Sequence, residues 1–186
     1  FFDVDDFARR IAELGVAELV VEIGCGEGAL ITALARRMPR SRFVGIDVAP
    51  EVGRLFVGDT SRVDFACSPA DAVAGRYEGQ ADLVIVCDVM HHASAADQQA
   101  LWLSAARMAR RPGGRMVLKE WLRSHAPIYY LGYASDRFIT GDRIRYRSRP
   151  YWVDAIGAQG WGIQAEWPLA PWKTNHAFVL SRAAVA

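Results

Sequence analysis

Gly24, Gly26 and Gly28 stand at alternate positions directly after the apolar run Leu19–Ile23 and directly before a stretch of helical period that opens at Ala29. A strand that enters such a turn needs backbone with positive φ, and the bare main chain left at a helix N-terminus lets a ligand lie against peptide groups. Asp47 ends the next apolar run, GID. That is about the twenty-residue separation at which a carboxylate reaches both ribose hydroxyls of a ligand placed over the turn. A nucleotide-like ligand is therefore expected. The glycines alone leave its class open, because Gly24, Gly26 and Ala29 also satisfy the dinucleotide pattern GxGxx(G/A), and an NAD(P)-dependent oxidoreductase is the alternative. Glu22 weighs against that alternative. An ionisable residue in a buried strand is costly without a partner; a cationic ligand would supply one, whereas a pyrophosphate would be repelled by Glu22 and Glu27.

His91, His92 and His125 are candidates for proton transfer, since two follow the fourth strand and one follows the fifth, at the edge where open α/β sheets bind ligands. The competing expectation is that His92 caps the following helix and packs under the ligand while His91 is merely exposed. His176 reads as structural. Residues 122–149 carry aromatic and basic side chains without periodicity, and a connection of that length is uncommon unless it is functional. Tyr129, Tyr130, Tyr133, Phe138 and Tyr146 could wall an acceptor or pack on the sheet. In RIRYRSR an extended chain would turn Arg143, Arg145, Arg147 and Arg149 to one side, where they would meet an anionic acceptor, a second copy of the chain in a homodimer, or solvent.

These residues need a frame. Short β-branched runs (Glu18–Ile23, Arg42–Asp47, Val63–Ala66, Asp82–Cys87, Arg115–Glu120) alternate with helical stretches such as Ala29–Met38 and Ala96–Arg110, after an amphipathic opening over Val4–Leu14. The alternation predicts an α/β fold, a parallel sheet between two layers of helices, with LVVEI, DLVIVC and MVLKE buried on both faces. After a short helix over Tyr151–Ala158, strands Gly162–Trp167 and His176–Ser181 flank a Pro- and Trp-containing loop and read as an antiparallel hairpin.

The 186 residues fit one domain over 1–186, with residues 122–149 as an insertion that covers the substrate. A net charge of +1 provides no global field for nucleic acid, and the NPPY-type tetrad that engages a flipped base is missing. The longest apolar runs are strand-sized, so no membrane span is expected. Cys25, Cys67 and Cys87 form no CxxC pair, which predicts neither a disulfide framework nor a metal site and fits a reducing cytoplasm.

The ordered segments resemble the class I S-adenosylmethionine-dependent methyltransferases from about Glu18 to Arg182. VVEIGCGEG is similar to the family's ExGxGxG motif, VGIDVAP to its ribose-binding segment, and ARRPGGRMVLKEW to its fifth-strand signature. FACSPADA lies where the family holds adenine, but Pro69 stands in the place of the usual acid; Ser68, the Ala70 backbone or Asp71 would take over. In DLVIVCDVMHHA, Cys87 and Asp88 would line the donor pocket with His92 packed beside it. The resemblance implies a Rossmann-like αβα sandwich with sheet order 3-2-1-4-5-7-6 and strand 7 antiparallel. S-adenosylmethionine would be the cofactor, held by Glu22, Gly24, Cys25, Gly26, Gly28, Asp47, Val48, Ser68, Ala70, Cys87, Asp88 and His92. A methyl group would pass to oxygen or nitrogen of a small molecule contacted by Tyr129, Tyr130, Tyr133 and Arg143. The alternatives to that activity are the oxidoreductase and a non-catalytic scaffold of the same fold. Because the sequence opens on Phe1, a preceding N-terminal segment is expected.

Overall fold

The computed structural model describes residues 2–124, 144–171 and 174–182. Seven strands form one sheet: β1 Leu19–Ile23, β2 Arg42–Asp47, β3 Val63–Cys67, β4 Leu83–Cys87, β5 Arg115–Trp121, β6 Trp161–Pro168 and β7 Asn175–Arg182. Their order is β3-β2-β1-β4-β5-β7-β6. The first five are mutually parallel, and β7 runs antiparallel to both β5 and β6. The order and the antiparallel strand both meet the expectation.

The near-continuous apolar character of β1, β4 and β5 follows from cover on both faces. Helices α1 (Val4–Ala12) and α2 (Ala29–Arg37) cover one face, placing Phe7, Ile11, Ile31 and Leu34 on Val20, Phe43, Leu83 and Ile85. On the other face lie α3 (Ala70–Ala74), α4 (Ala95–Met108) and α5 (Arg149–Ala158), whose Trp102, Met108, Trp152 and Ile156 meet Val21, Val84, Val86 and Leu118. Side chains buried this fully contribute about 1.5–3 kcal/mol each, so the sheet is the rigid platform on which its C-terminal edge is displayed.

Two expectations change. Helix α4 is capped by Ser94, whose hydroxyl accepts from the Asp97 N–H at 3.2 Å, and not by His92. The arginine row breaks up because Ser148 caps a helix that starts at Arg149, with Pro150 in its first turn. Arg149 then pairs with Glu166 at 2.5 Å, while the Arg147 guanidinium lies 4.6 Å over the Tyr151 ring. Arg143 falls outside the described residues.

Candidate active site

The glycine turn is shaped by close approach as much as by φ. Gly24 has φ 81° and an added Cβ would lie 1.9 Å from Val89 Cγ2, so β1 can pass the β4 loop only without a side chain. At Gly26, φ is 50° and a Cβ would meet nothing within 4 Å; its main chain faces open space. Asp47, at the end of β2, is fixed by two backbone donors: Gly26 N–H to Oδ2 at 2.8 Å and Ala49 N–H to Oδ1 at 2.9 Å. Each carboxylate oxygen keeps a second lone pair for a ligand. A crevice of about 470 Å³ opens here, with Gly24, Asp47, Ser68, Ala70, Asp88 and His92 in its walls. That is within the range of small-molecule sites. Val48, 71 % exposed, forms an apolar shelf at its rim. Past Ala70 and Leu101 it adjoins a cavity of about 510 Å³ bordered by Pro69 and Asp71.

The N-terminus of α2 is covered by the chain itself. Gly53 N–H donates to Gly26 O and Leu55 N–H to Glu27 O, each at 2.9 Å, and Val57 N–H donates to Thr32 Oγ1 at 3.1 Å. A Cβ at Gly28 would sit 3.2 Å from the Phe65 ring and 3.3 Å from Gly53 Cα.

Strand alternation sends Glu22 to the face under α1 and α2, between Gly45 and Ile85, and away from the crevice wall. It is 2 % exposed and its Oε2 has no hydrogen-bond partner. Burial first, and the negative charge of Asp47 second, push its carboxyl up to about 8. The Cys25 side chain is buried beneath the turn, which leaves only its main chain for a ligand, and burial with Glu22 and Asp47 nearby pushes the thiol up. Burial also pushes up the Cys87 thiol. Both stay protonated at neutral pH and are poor nucleophiles.

The ends of β4 and β5 carry a buried charged network. Among the described residues Asp88 is the one non-glycine with positive φ, 55°. Its Oδ2 accepts from the Nζ of Lys119, a side chain with no exposure that also lies 4.1 Å from the Phe2 ring centroid, while Asp88 Oδ1 has no partner. Glu120, equally buried, accepts from the Met90 N–H at 2.8 Å and pairs with His91 Nδ1 at 2.6 Å. Burial would lower the His91 pKa, but the charge and hydrogen bond of Glu120 outweigh it and the net shift is upward. A ladder of rings runs from β5 to the crevice: Trp121 to Tyr146 at 6.3 Å, Tyr146 to His91 at 5.1 Å, and His91 to His92 at 4.1 Å.

His92 lies at the crevice as expected, whereas His91, expected to be exposed, is buried. His91 is 4 % exposed because Glu120 draws it inward, and the exposed His92 lines the crevice. Asp88, His91 and Glu120 bring ligand-type atoms within 4.8 Å of one another. The His91–Glu120, Glu120–Met90 and Lys119–Asp88 bonds already occupy those groups, and a metal would have to displace them. Lys119 and Glu120 went unassigned from sequence, although two charges inside an apolar strand carry the same signal that marks Glu22. His176 bonds Glu166 at 2.9 Å on the hairpin, in keeping with a structural role. His125, Tyr129, Tyr130, Tyr133 and Phe138 lie outside the described residues.

An open sheet with a crevice at the carboxyl ends of β1, β2 and β4, an acid on β2 and bare peptide on the turn defines a nucleoside-binding α/β domain. The family model "Methyltransferase domain" matches residues 21–116, just over half of the 186, and the chain belongs to that family. It is 32% identical over 132 residues, 64% of this chain and 27% of the relative, to the biotin biosynthesis bifunctional protein BioCD of Bordetella avium. To the trans-aconitate 2-methyltransferase of Streptomyces coelicolor it is 31% identical over 134 residues, 68% of this chain and 42% of that protein. The structure of an O-methyltransferase family protein from Burkholderia thailandensis superposes with a TM-score of 0.77 at 17% identity, covering 98% of this chain and 56% of the other. The chain thus spans under half of the curated relatives it matches and about half of the solved structure.

Proposed function

We propose that the domain binds S-adenosylmethionine and transfers its methyl group to an oxygen or nitrogen of a small molecule. The observation that carries this reading is the Asp47 carboxylate, fixed by Gly26 and Ala49 with lone pairs to spare, at the head of a crevice of about 470 Å³. The site fits the cofactor on two further counts. At the crevice wall, Asp88 Oδ1 is a buried acceptor without a partner, which a polar or cationic group of the ligand would satisfy. Residues 53–57, bonded over the start of α2, and the Glu27 carboxylate beside it argue against a pyrophosphate there and so against the dinucleotide alternative.

When bound, the sulfonium supplies an electrophilic methyl group, so the residues mainly orient reactants and exclude water. Asp47 would accept from both ribose hydroxyls, and Val48, Ala70 and Leu101 would hold the base between apolar surfaces. His92 faces the crevice and rests on the His91 ring, itself tied to Glu120. It is the group we assign to take a proton from a hydroxyl acceptor; His91 positions it. The thiols of Cys25 and Cys87 stay protonated and do not serve as nucleophiles.

Calorimetry with S-adenosylhomocysteine and with NAD tests the assignment. Binding of the first and not the second is expected; a preference for NAD or binding of neither overturns it. Asp47→Ala should weaken S-adenosylhomocysteine binding by about 1.5–3 kcal/mol, the worth of hydrogen bonds to a charged group.

A further inference from the structure

With ribose on Asp47 and the base between Val48, Ala70 and Leu101, the far end of a purine points out of the crevice between α3 and α4. A purine joins ribose through N9 at one end of its bicycle and carries its exocyclic amino group at the other. Pro69 stands at that outer end, as the N-cap residue of α3, and offers neither an N–H nor a side-chain acceptor. Past Ala70 and Leu101 the space continues into the cavity of about 510 Å³, as large as the crevice of about 470 Å³ itself. Val48, Pro69, Val89, Ala100 and Leu101 give that cavity apolar walls. Its other side chains include three that already have partners: Ser104 Oγ donates to Ala100 O at 2.7 Å, Asp97 Oδ2 accepts from Ser94 Oγ at 2.6 Å, and Asp71 Oδ1 accepts from the Ala72 N–H at 3.0 Å. Both of these aspartates are exposed, so their charges stay hydrated.

We propose that the cavity between α3 and α4 is a subsite for an apolar group carried on the exocyclic nitrogen of the donor's adenine, so that the domain accepts N6-substituted adenosine ligands. The inference rests on the donor reading above. A carboxylate set against the amino group would reject such a substituent twice over, by steric overlap and by the cost of desolvating its charge. Pro69 imposes neither penalty, and the small side chain of Ala100 leaves the opposite wall open. A singly substituted nitrogen keeps one N–H for the crevice wall, where Ser68 stands, while its substituent enters the cavity. Apolar surface that leaves water against Val89 and Leu101 adds to affinity. Pro69 and Ala100 are thus the residues that set how large a purine ligand the domain takes.

The test is calorimetry with S-adenosylhomocysteine and its N6-benzyl derivative, on the wild type and on Ala100→Trp. Ala100 is exposed on α4 and borders the second cavity but not the crevice, so an indole there fills the proposed subsite. The wild type should bind the benzyl ligand within about fivefold of S-adenosylhomocysteine, or more tightly, because no wall is overpacked. Ala100→Trp should shift the ratio of the two affinities against the benzyl ligand by about tenfold, the scale of an overpacked site. If that variant fails to fold, Ala100→Leu narrows the same wall with a strong helix former and should move the ratio in the same direction. A wild type that binds S-adenosylhomocysteine but loses more than about fivefold with the benzyl ligand has a closed wall; the inference then falls and the donor reading stands. A ratio that does not move in the folded variant puts the benzyl group outside the cavity and overturns the inference equally. Failure of the wild type to bind S-adenosylhomocysteine overturns the donor reading itself.

Discussion

The two ends of the cleft are built on one sheet edge by opposite means. At the β1–β2 end the functional groups are satisfied by backbone: Asp47 takes its donors from Gly26 and Ala49, and the turn is shaped by glycines. At the β4–β5 end side chains satisfy one another: Lys119 with Asp88, and Glu120 with His91. Backbone donors come with the fold and cost no rotamer freedom. Buried charge pairs must recover the desolvation of both partners, so removing one partner leaves the other stranded. The first end should therefore be mechanically robust and lose function when changed, and the second should lose stability.

Glu120→Ala is the harshest test of that contrast. It strands His91 and the Met90 N–H together and should cost about 3–5 kcal/mol in denaturant unfolding, as broken buried pairs do. His91 has a raised pKa in the fold, so the pair's contribution is complete below the ordinary histidine value of 6.5 and fades as pH climbs through the raised one. The penalty should be larger at pH 6 than at pH 9. A loss under 1 kcal/mol at both would erase the distinction between the two ends.

Glu22→Gln should act in the opposite direction. Its folded pKa, about 8, lies above the ordinary 4.5, so the folded state binds more protons than the unfolded one between those values and stability falls as pH rises. Removing the carboxylate should stabilise the protein by about 2–4 kcal/mol at pH 8.5 and by little at pH 5. Melting curves at the two pH values check the sign. A variant that melts lower at pH 8.5 would show that Glu22 has a partner after all.

The same contrast explains what could be read in advance. The sheet order, the glycine turn and Asp47 are legible because periodicity and short-range spacing encode them. Glu22 was rightly singled out as a costly buried acid, but its side of the sheet follows from strand parity, which sends it to the α1–α2 face. His91 and Glu120 are neighbours only through the packing of two parallel strands, and nothing in HH tells which ring turns inward. Helix α3 was missed because Ala70–Ala74 is too short to show a period. The arginine row failed for a local reason, since Ser148 and Pro150 start a helix inside it.

The smallest effect should separate two residues of one turn. Gly24→Ala must displace Val89, whose Cγ2 would lie 1.9 Å from the new Cβ, and it also strains a φ of 81°. A stability loss of about 2–3 kcal/mol is expected, with the crevice distorted at its wall. Gly26→Ala meets no protein atom within 4 Å, so its stability loss should be only about 1 kcal/mol, from positive φ alone. Its methyl group would project into open space beside the peptide that donates to Asp47. If that space belongs to the nucleoside, Gly26→Ala should weaken S-adenosylhomocysteine binding by a larger factor than its stability loss implies. Binding as tight as wild type would move the ligand away from the turn.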